Sequence, residues 1–83
     1  MNFELKTTPK FEKLFRKLDR EVQARVLKQI SSLPNDPHQG KSLHGSLKGK
    51  FSLRVGEYRV IYRVESNLIL LLVVGHRKKI YEG

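Results

Sequence analysis

Eighty-three residues allow one domain, 1–83, with a single core. Seventeen Lys and Arg against eight Asp and Glu leave a net charge of +9, which points to a polyanionic partner: nucleic acid first, then an acidic membrane or an acidic protein. The lack of cysteine excludes disulfides and thiolate metal sites, His38, His44 and His76 lack ligand spacing, and no apolar run has the length of a signal sequence or membrane span, so a cytoplasmic protein without metal or cofactor is expected.

Phe3-Glu-Leu-Lys6 alternates apolar and polar residues and is predicted to be a short first strand. Thr8 followed by Pro9 marks a helix start, a capping hydroxyl and then a proline where the missing N–H costs nothing. Phe11, Leu14, Phe15 and Leu18 form one apolar stripe, with Lys10, Glu12, Lys13, Arg16 and Lys17 on the solvated side. Asp19 is expected to cap a second helix whose inner face is Val22, Val26, Leu27, Ile30 and Leu33, stopped by Pro34-Asn-Asp-Pro37. So tight a joint implies an antiparallel helical hairpin. Residues 34–50 then form a basic loop charged by Lys41, Lys48 and Lys50 and anchored by Leu43 and Leu47.

The segment from Phe51 to Tyr62 reads as two alternating strands joined at Gly56-Glu57. Glycine at the first central position suits a type II′ turn, which pairs Val55 with Tyr58, Arg54 with Arg59 and Leu53 with Val60. Two arginines facing each other repel unless an anion lies between them, or unless both snorkel into solvent. Ser66-Asn67 makes a second turn and leads into a third strand over 68–74, apolar on both faces.

One sheet face should carry Phe51, Leu53, Val55, Tyr58, Val60, Tyr62, Val64, Ile69, Leu71 and Val73 beneath the helices. The other should carry Ser52, Arg54, Arg59, Ile61, Arg63, Leu68, Leu70, Leu72 and Val74. Its leucine row needs cover, from the first strand and the loop or from a partner. Unbroken alternation sets His76 with Arg59 and Arg77 opposite, and Gly75 is where a break would reverse this; the ladder is expected to end at Gly75 or His76.

This order of elements, with Lys41-Ser-Leu-His-Gly45, Leu53-Arg-Val-Gly-Glu-Tyr-Arg-Val-Ile-Tyr62 and Gly75-His-Arg-Lys-Lys-Ile-Tyr81, resembles the RelE/ParE superfamily of toxin–antitoxin toxins over nearly the whole chain. The resemblance implies an α+β fold: a short N-terminal strand, an antiparallel helical hairpin and a three-strand antiparallel meander. It also implies a type II toxin that cuts mRNA in the ribosomal A site without a metal. In that chemistry the ribose 2′-hydroxyl attacks the adjacent phosphate, leaving a 2′,3′-cyclic phosphate and a 5′-hydroxyl. The family's cleft residues fall on Arg54, Arg59, Arg77 and Tyr81. Where RelE enzymes carry a lysine this chain has Ser52, so Lys50 or a loop lysine would have to supply that charge.

The chemistry fits these residue types. Arg54, Arg59 and Arg77 suit the phosphoryl oxygens, because a guanidinium meets phosphate as a planar fork and stays charged. Tyr81, with cations beside it, or His76 would move the proton. Lys41, Lys48, Lys50, Arg63, Lys78 and Lys79 are the candidate contacts to RNA and ribosome. The expected partners are the ribosome, through rRNA and A-site mRNA, and a cognate antitoxin laid over the leucine row or along the helical pair; no membrane or small-molecule cofactor is expected. Two alternatives stay open: a ParE-type inhibitor of DNA gyrase without nuclease activity, and a module that only binds antitoxin and nucleic acid.

Overall fold

The chain folds as β1 (Glu4–Thr7), α1 (Pro9–Arg16), α2 (Arg20–Ile30), β2 (Lys41–Ser42), a 3-10 turn (Gly45–Leu47), β3 (Lys50–Val55), β4 (Tyr58–Glu65) and β5 (Leu68–His76), in a computed structural model that describes residues 3–80. The architecture is the expected α+β one, with both helices against one face of a five-stranded sheet ordered β1-β5-β4-β3-β2. No helix among the described residues is long and apolar enough to cross a membrane.

Thr8 starts α1 as its sequence foretells. Its hydroxyl oxygen accepts from the Phe11 N–H at 3.2 Å and also donates to the Leu71 carbonyl at 3.0 Å, so the cap ties the helix to β5. Asp19 holds the N-cap position of α2, but its side chain makes no capping bond. The joint between the helices is instead braced by the Gln23 amide, which donates to the Phe15 carbonyl at 2.9 Å. Phe11, Val26, Ile30 and Leu33 are buried, with Leu14, Phe15, Leu18 and Val22 packed around them.

Leu27 departs from the expected inner face: it is 54% exposed. Val22, Val26 and Ile30 already fill the stripe that meets the sheet, and one residue further round the helix points Leu27 toward the cleft beside α1. α1, with 8 residues, is too short to cover it. Leu33 is buried, yet it lies past the end of α2 in the turn over 31–35.

The β3–β4 register is the expected one throughout: Val55 faces Tyr58, Arg54 faces Arg59, and Leu53 faces Val60. Gly56 has φ +61° and no other residue of the turn has positive φ, the II′ pattern. Ser66 takes the same role between β4 and β5 with φ +51°, and Glu65 pairs with Leu68 as expected.

Three features of the sheet differ from the sequence reading. β1 does not lie over the leucine row; it pairs in parallel with β5, Glu4 with Leu68 through Thr7 with Leu71, and so extends the sheet edge. The basic loop contributes a short strand, β2, with Lys41 opposite Ser52. The β4–β5 ladder shifts between Ile61 and Tyr62, which face Val73 and Leu71 and leave Leu72 as the extra residue of a bulge. Beyond the bulge the faces of β5 exchange. Val74 is buried with Val60 on the helix side, whereas Val73 faces Ile61 on the other.

Tyr62 fastens the basic loop to this sheet. Its ring is wholly buried, its hydroxyl donates to the Pro37 carbonyl at 2.8 Å, and its oxygen accepts from the Gly40 N–H at 3.0 Å. A Cβ at Gly40 would lie 2.8 Å from that oxygen, so only glycine lets the loop approach. Burial pushes the phenol pKa up from the ordinary 10.0; the Gly40 N–H pulls it down in part and the Asp36 carboxylate adds to the rise.

Two predictions follow from the packing. In urea unfolding, Ile30→Ala should cost about 2–5 kcal/mol and Leu27→Ala less than about 1 kcal/mol. Tyr62→Phe should cost about 1 kcal/mol at neutral pH. Because the folded phenol binds its proton more tightly than the unfolded one, the wild-type advantage should be complete below the unfolded tyrosine pKa. It should shrink as pH climbs above that value toward the folded pKa, which paired denaturation curves from pH 7 to 11 would read.

Candidate nucleic-acid interface

The pairing pattern sorts every strand residue onto one face or the other. Lys41, Lys50, Ser52, Arg54, Arg59, Ile61 and Arg63 share the face away from the helices, joined from the edge strand by Lys6. The reason is alternation: once Leu53, Val55, Val60 and Tyr62 enter the core, the residues between them must point outward. The centre of this face is uncharged and closed, with Ser52 at 6% and Ile61 at 5% exposure. The cations form its perimeter.

Two depressions adjoin this surface, and each reaches round the sheet to helix-side residues, Gln29 in one and Lys10, Leu14 and His76 in the other. A polar one of about 600 Å³ lies where β2 stops short along β3, among Lys41, Ser52, Arg54 and Arg59 together with Gln29 and Gln39. No carboxylate lines it. The Arg59 guanidinium folds back on the turn, donating to the carbonyls of Gly56 at 3.2 Å and Tyr58 at 3.0 Å, which fixes one arginine of the facing pair. The second, about 530 Å³, has an apolar floor that includes Leu47, Ile61, Leu72, Val73 and Ile80, and a rim of Lys10, Lys50, His76 and Lys79. Leu47 of the basic loop lines this depression and is not among the residues packed against the core.

The sequence-predicted residues do not all meet. Lys41, Arg54 and Arg59 share the polar depression, and Lys50, His76 and Lys79 share the apolar one. Arg63 lies on the same face in an ion pair with Glu65. Lys48 and Lys78 are exposed outside both depressions. Tyr81 falls outside the described residues.

His76 and Arg77 correct the expected placement. β5 runs through His76 as anticipated, but the bulge at Leu72 has already reversed parity, so His76 faces Tyr58 on the helix side and Gly75 faces Arg59. The Tyr58 and His76 rings meet edge-on at 5.5 Å. Arg77 leaves the ladder, its N–H donating to the Glu57 carbonyl at 2.8 Å. The turn over 77–80 then folds back, with the Ile80 N–H donating to the His76 carbonyl at 3.0 Å.

Sequence reasoning missed Glu57, Lys10, Gln29 and Gln39. Glu57 carries a signal in hindsight, as the acidic residue of the turn between the two arginine strands. Lys10 has the pattern of a solvated helix face, and neither glutamine has a local signal, because Gln29 reaches this edge from α2 and Gln39 from the loop.

A family model described as the ParE toxin of type II toxin–antitoxin systems, parDE, matches residues 5–81. Toxin RelG of Mycobacterium tuberculosis is 33% identical, with 98% of each chain covered. Among solved structures, the RelBE2 toxin–antitoxin complex of Mycobacterium tuberculosis superposes with a TM-score of 0.85 at 30% identity, covering 93% of this chain and 100% of that one. The archaeal RelE-RelB complex of Pyrococcus horikoshii gives a TM-score of 0.79 at 25% identity over 95% and 99%. Fold, sequence and family model agree, and the chain belongs to the ParE toxin family within the RelE/ParE superfamily of type II toxin–antitoxin toxins.

Proposed function

We propose that this toxin is a ribosome-dependent endoribonuclease that cuts A-site mRNA and is silenced by a cognate antitoxin. The observation that carries the reading is the facing pair Arg54 and Arg59 beside Lys41 in a depression lined by no carboxylate. Like charges held opposite one another favour an anion between them, and an RNA phosphate would supply it.

In the reaction the 2′-oxygen forms a bond to phosphorus while the bond to the 5′-oxygen breaks. The 2′ proton passes to a base and the departing 5′-oxygen takes up a proton. Arg54, Arg59 and Arg77 are assigned to the charge on the phosphoryl oxygens, and Tyr81 or His76 to the proton. Lys50, next along the face from Ser52, supplies the cation that Ser52 lacks. A chain of 9.7 kDa has little surface with which to orient an RNA alone, which favours dependence on the ribosome. Several structural relatives are toxins bound to their antitoxins. The antitoxin is assigned to the helical pair, where Phe11, Phe15, Leu27 and Ile30 line an open groove.

The match to the ParE family model favours a second reading, in which the chain binds and inhibits DNA gyrase and cleaves nothing.

Primer extension on a message under translation separates the two. Wild type should cut within ribosome-bound codons, Arg59→Ala and Arg77→Ala should cut about 100-fold more slowly, and a ribosome-free control should stay intact. An intact message from protein that still arrests growth would sink the nuclease reading, and inhibited supercoiling would then support the gyrase one. Binding to a single-stranded RNA should also weaken with salt. Lys41→Ala, Lys50→Ala or Arg54→Ala should each lower the log–log slope by about 0.7, whereas Lys28→Ala on α2 should leave it unchanged.

A further inference from the structure

We propose that Glu57 and His76 form a positioning couple that holds Arg77 against the β3–β4 turn, and that His76 serves the reaction through this couple and does not itself carry the proton. The proposal rests on the nuclease reading above and narrows its choice of proton carrier.

The β3–β4 turn and the end of β5 lie side by side because Tyr58 pairs with His76. Glu57 reaches across this junction with three groups. Its carbonyl accepts the Arg77 N–H at 2.8 Å, Oε2 lies 3.5 Å from His76 Nε2, and Oε1 lies 4.0 Å from the Arg77 guanidinium. One carboxylate therefore spans two of the residues expected in the cleft.

The histidine is engaged from its other side as well. The Lys78 N–H donates to His76 Nδ1 at 3.2 Å, a bond that only an unprotonated nitrogen can accept. The proton of the neutral ring is thereby assigned to Nε2, the nitrogen that faces Glu57. To take a proton at Nδ1 the ring must give up its backbone donor, and to reach a substrate atom with Nε2 it must leave the carboxylate. The Tyr58 ring packs edge-on against it and resists that rotation. Besides Glu57 and Arg77, the charged groups that line the same cavity as the ring are Lys10 of α1, Lys50 of β3 and Lys79.

Stability does not explain the arrangement. The Glu57 side chain is 69% exposed, and exposed ion pairs at 3.5 to 4.0 Å contribute little to folding. In a chain with only eight side-chain carboxylates, one set against Arg77 also opposes the attraction of an RNA phosphate to that guanidinium. What it supplies is geometry: the 2.8 Å backbone bond fixes where Arg77 leaves the turn, and the carboxylate of the same residue faces its guanidinium.

The test is a kinetic cycle on the whole protein with programmed ribosomes, comparing Glu57→Gln, His76→Gln, the double variant and Glu57→Asp. Each single amide variant should lower kcat about 10- to 100-fold with KM nearly unchanged, as expected for a misaligned transition-state contact. The double variant should be no slower than the slower single, because both act through one contact, and Glu57→Asp should recover part of the loss. His76→Gln should keep the shape of the wild-type pH–rate profile. Loss of one limb of that profile would make His76 the proton carrier and overturn the proposal, as would an undiminished or higher kcat in Glu57→Gln. Long-range 1H–15N spectra of the free protein give a readout independent of cleavage and report that each variant is folded. They should show His76 with its proton on Nε2, and a changed Arg77 side-chain signal in Glu57→Gln. If wild type fails to cut, the nuclease reading falls while these spectra still decide the couple; a proton on Nδ1 would refute it.

Discussion

The register of the β3–β4 hairpin is the constraint on which the rest of this structure depends. A two-residue turn with positive φ at Gly56 sets Arg54 opposite Arg59, Ser52 opposite Ile61 and Lys50 opposite Arg63. A slip of one residue by either strand would turn that strand's cations toward the helices and its core side chains toward water. Burying even one of those charges without a partner would cost several kcal/mol, so the register is enforced from both faces at once. The same turn supplies the Gly56 and Tyr58 carbonyls that hold Arg59 and the Glu57 carbonyl that receives Arg77. Core packing and the candidate site thus share one local element.

The bulge in β5 is the second decision, and it follows from a different kind of constraint. The run from Leu68 to Val74 is apolar on both faces, so its composition does not say which residues face the helices. β4 decides by pairing. With Leu72 left over, Val74 joins the core and Gly75 comes to face Arg59. Gly75 has no side chain to fill the outer face, and a Cβ built there would just touch Ile80 at 4.0 Å. That space is where the turn over 77–80 folds back, adding Lys79 and Ile80 to the cavity beneath it.

The interface that results is a ring of charge around a dry centre. Ser52 stands at the middle with almost no exposure, so the departure from lysine at this position removes charge from the centre and leaves the perimeter intact. Lys41 reaches the perimeter only because Tyr62 grips the preceding loop through Pro37 and Gly40. A buried phenol on the helix side therefore acts on the opposite face, through the chain that wraps the sheet edge.

Much of this was legible in the residues. The capping Thr8 with Pro9, the stripe of Phe11, Leu14 and Phe15, both hairpin turns and the pairing of Arg54 with Arg59 all depend on neighbours within a few positions, so local chemistry was enough to read them. Where only long-range closure decides, the sequence was silent: the parallel seat of β1 beside β5, the edge strand at Lys41, the exposure of Leu27 and the meeting of Gln29 with Arg54. His76 and Arg77 belong to this second group. Their alternation could be counted from Arg59, but the count fails at a bulge that no local residue announces. The sequence by itself determined the two helices, the strands β1, β3, β4 and β5, the β3–β4 register and the outward face of their cations, since alternation and turn geometry are properties of adjacent residues. Only the tertiary structure decided what stands beside Arg77, because the strand that carries it takes its parity from its neighbour.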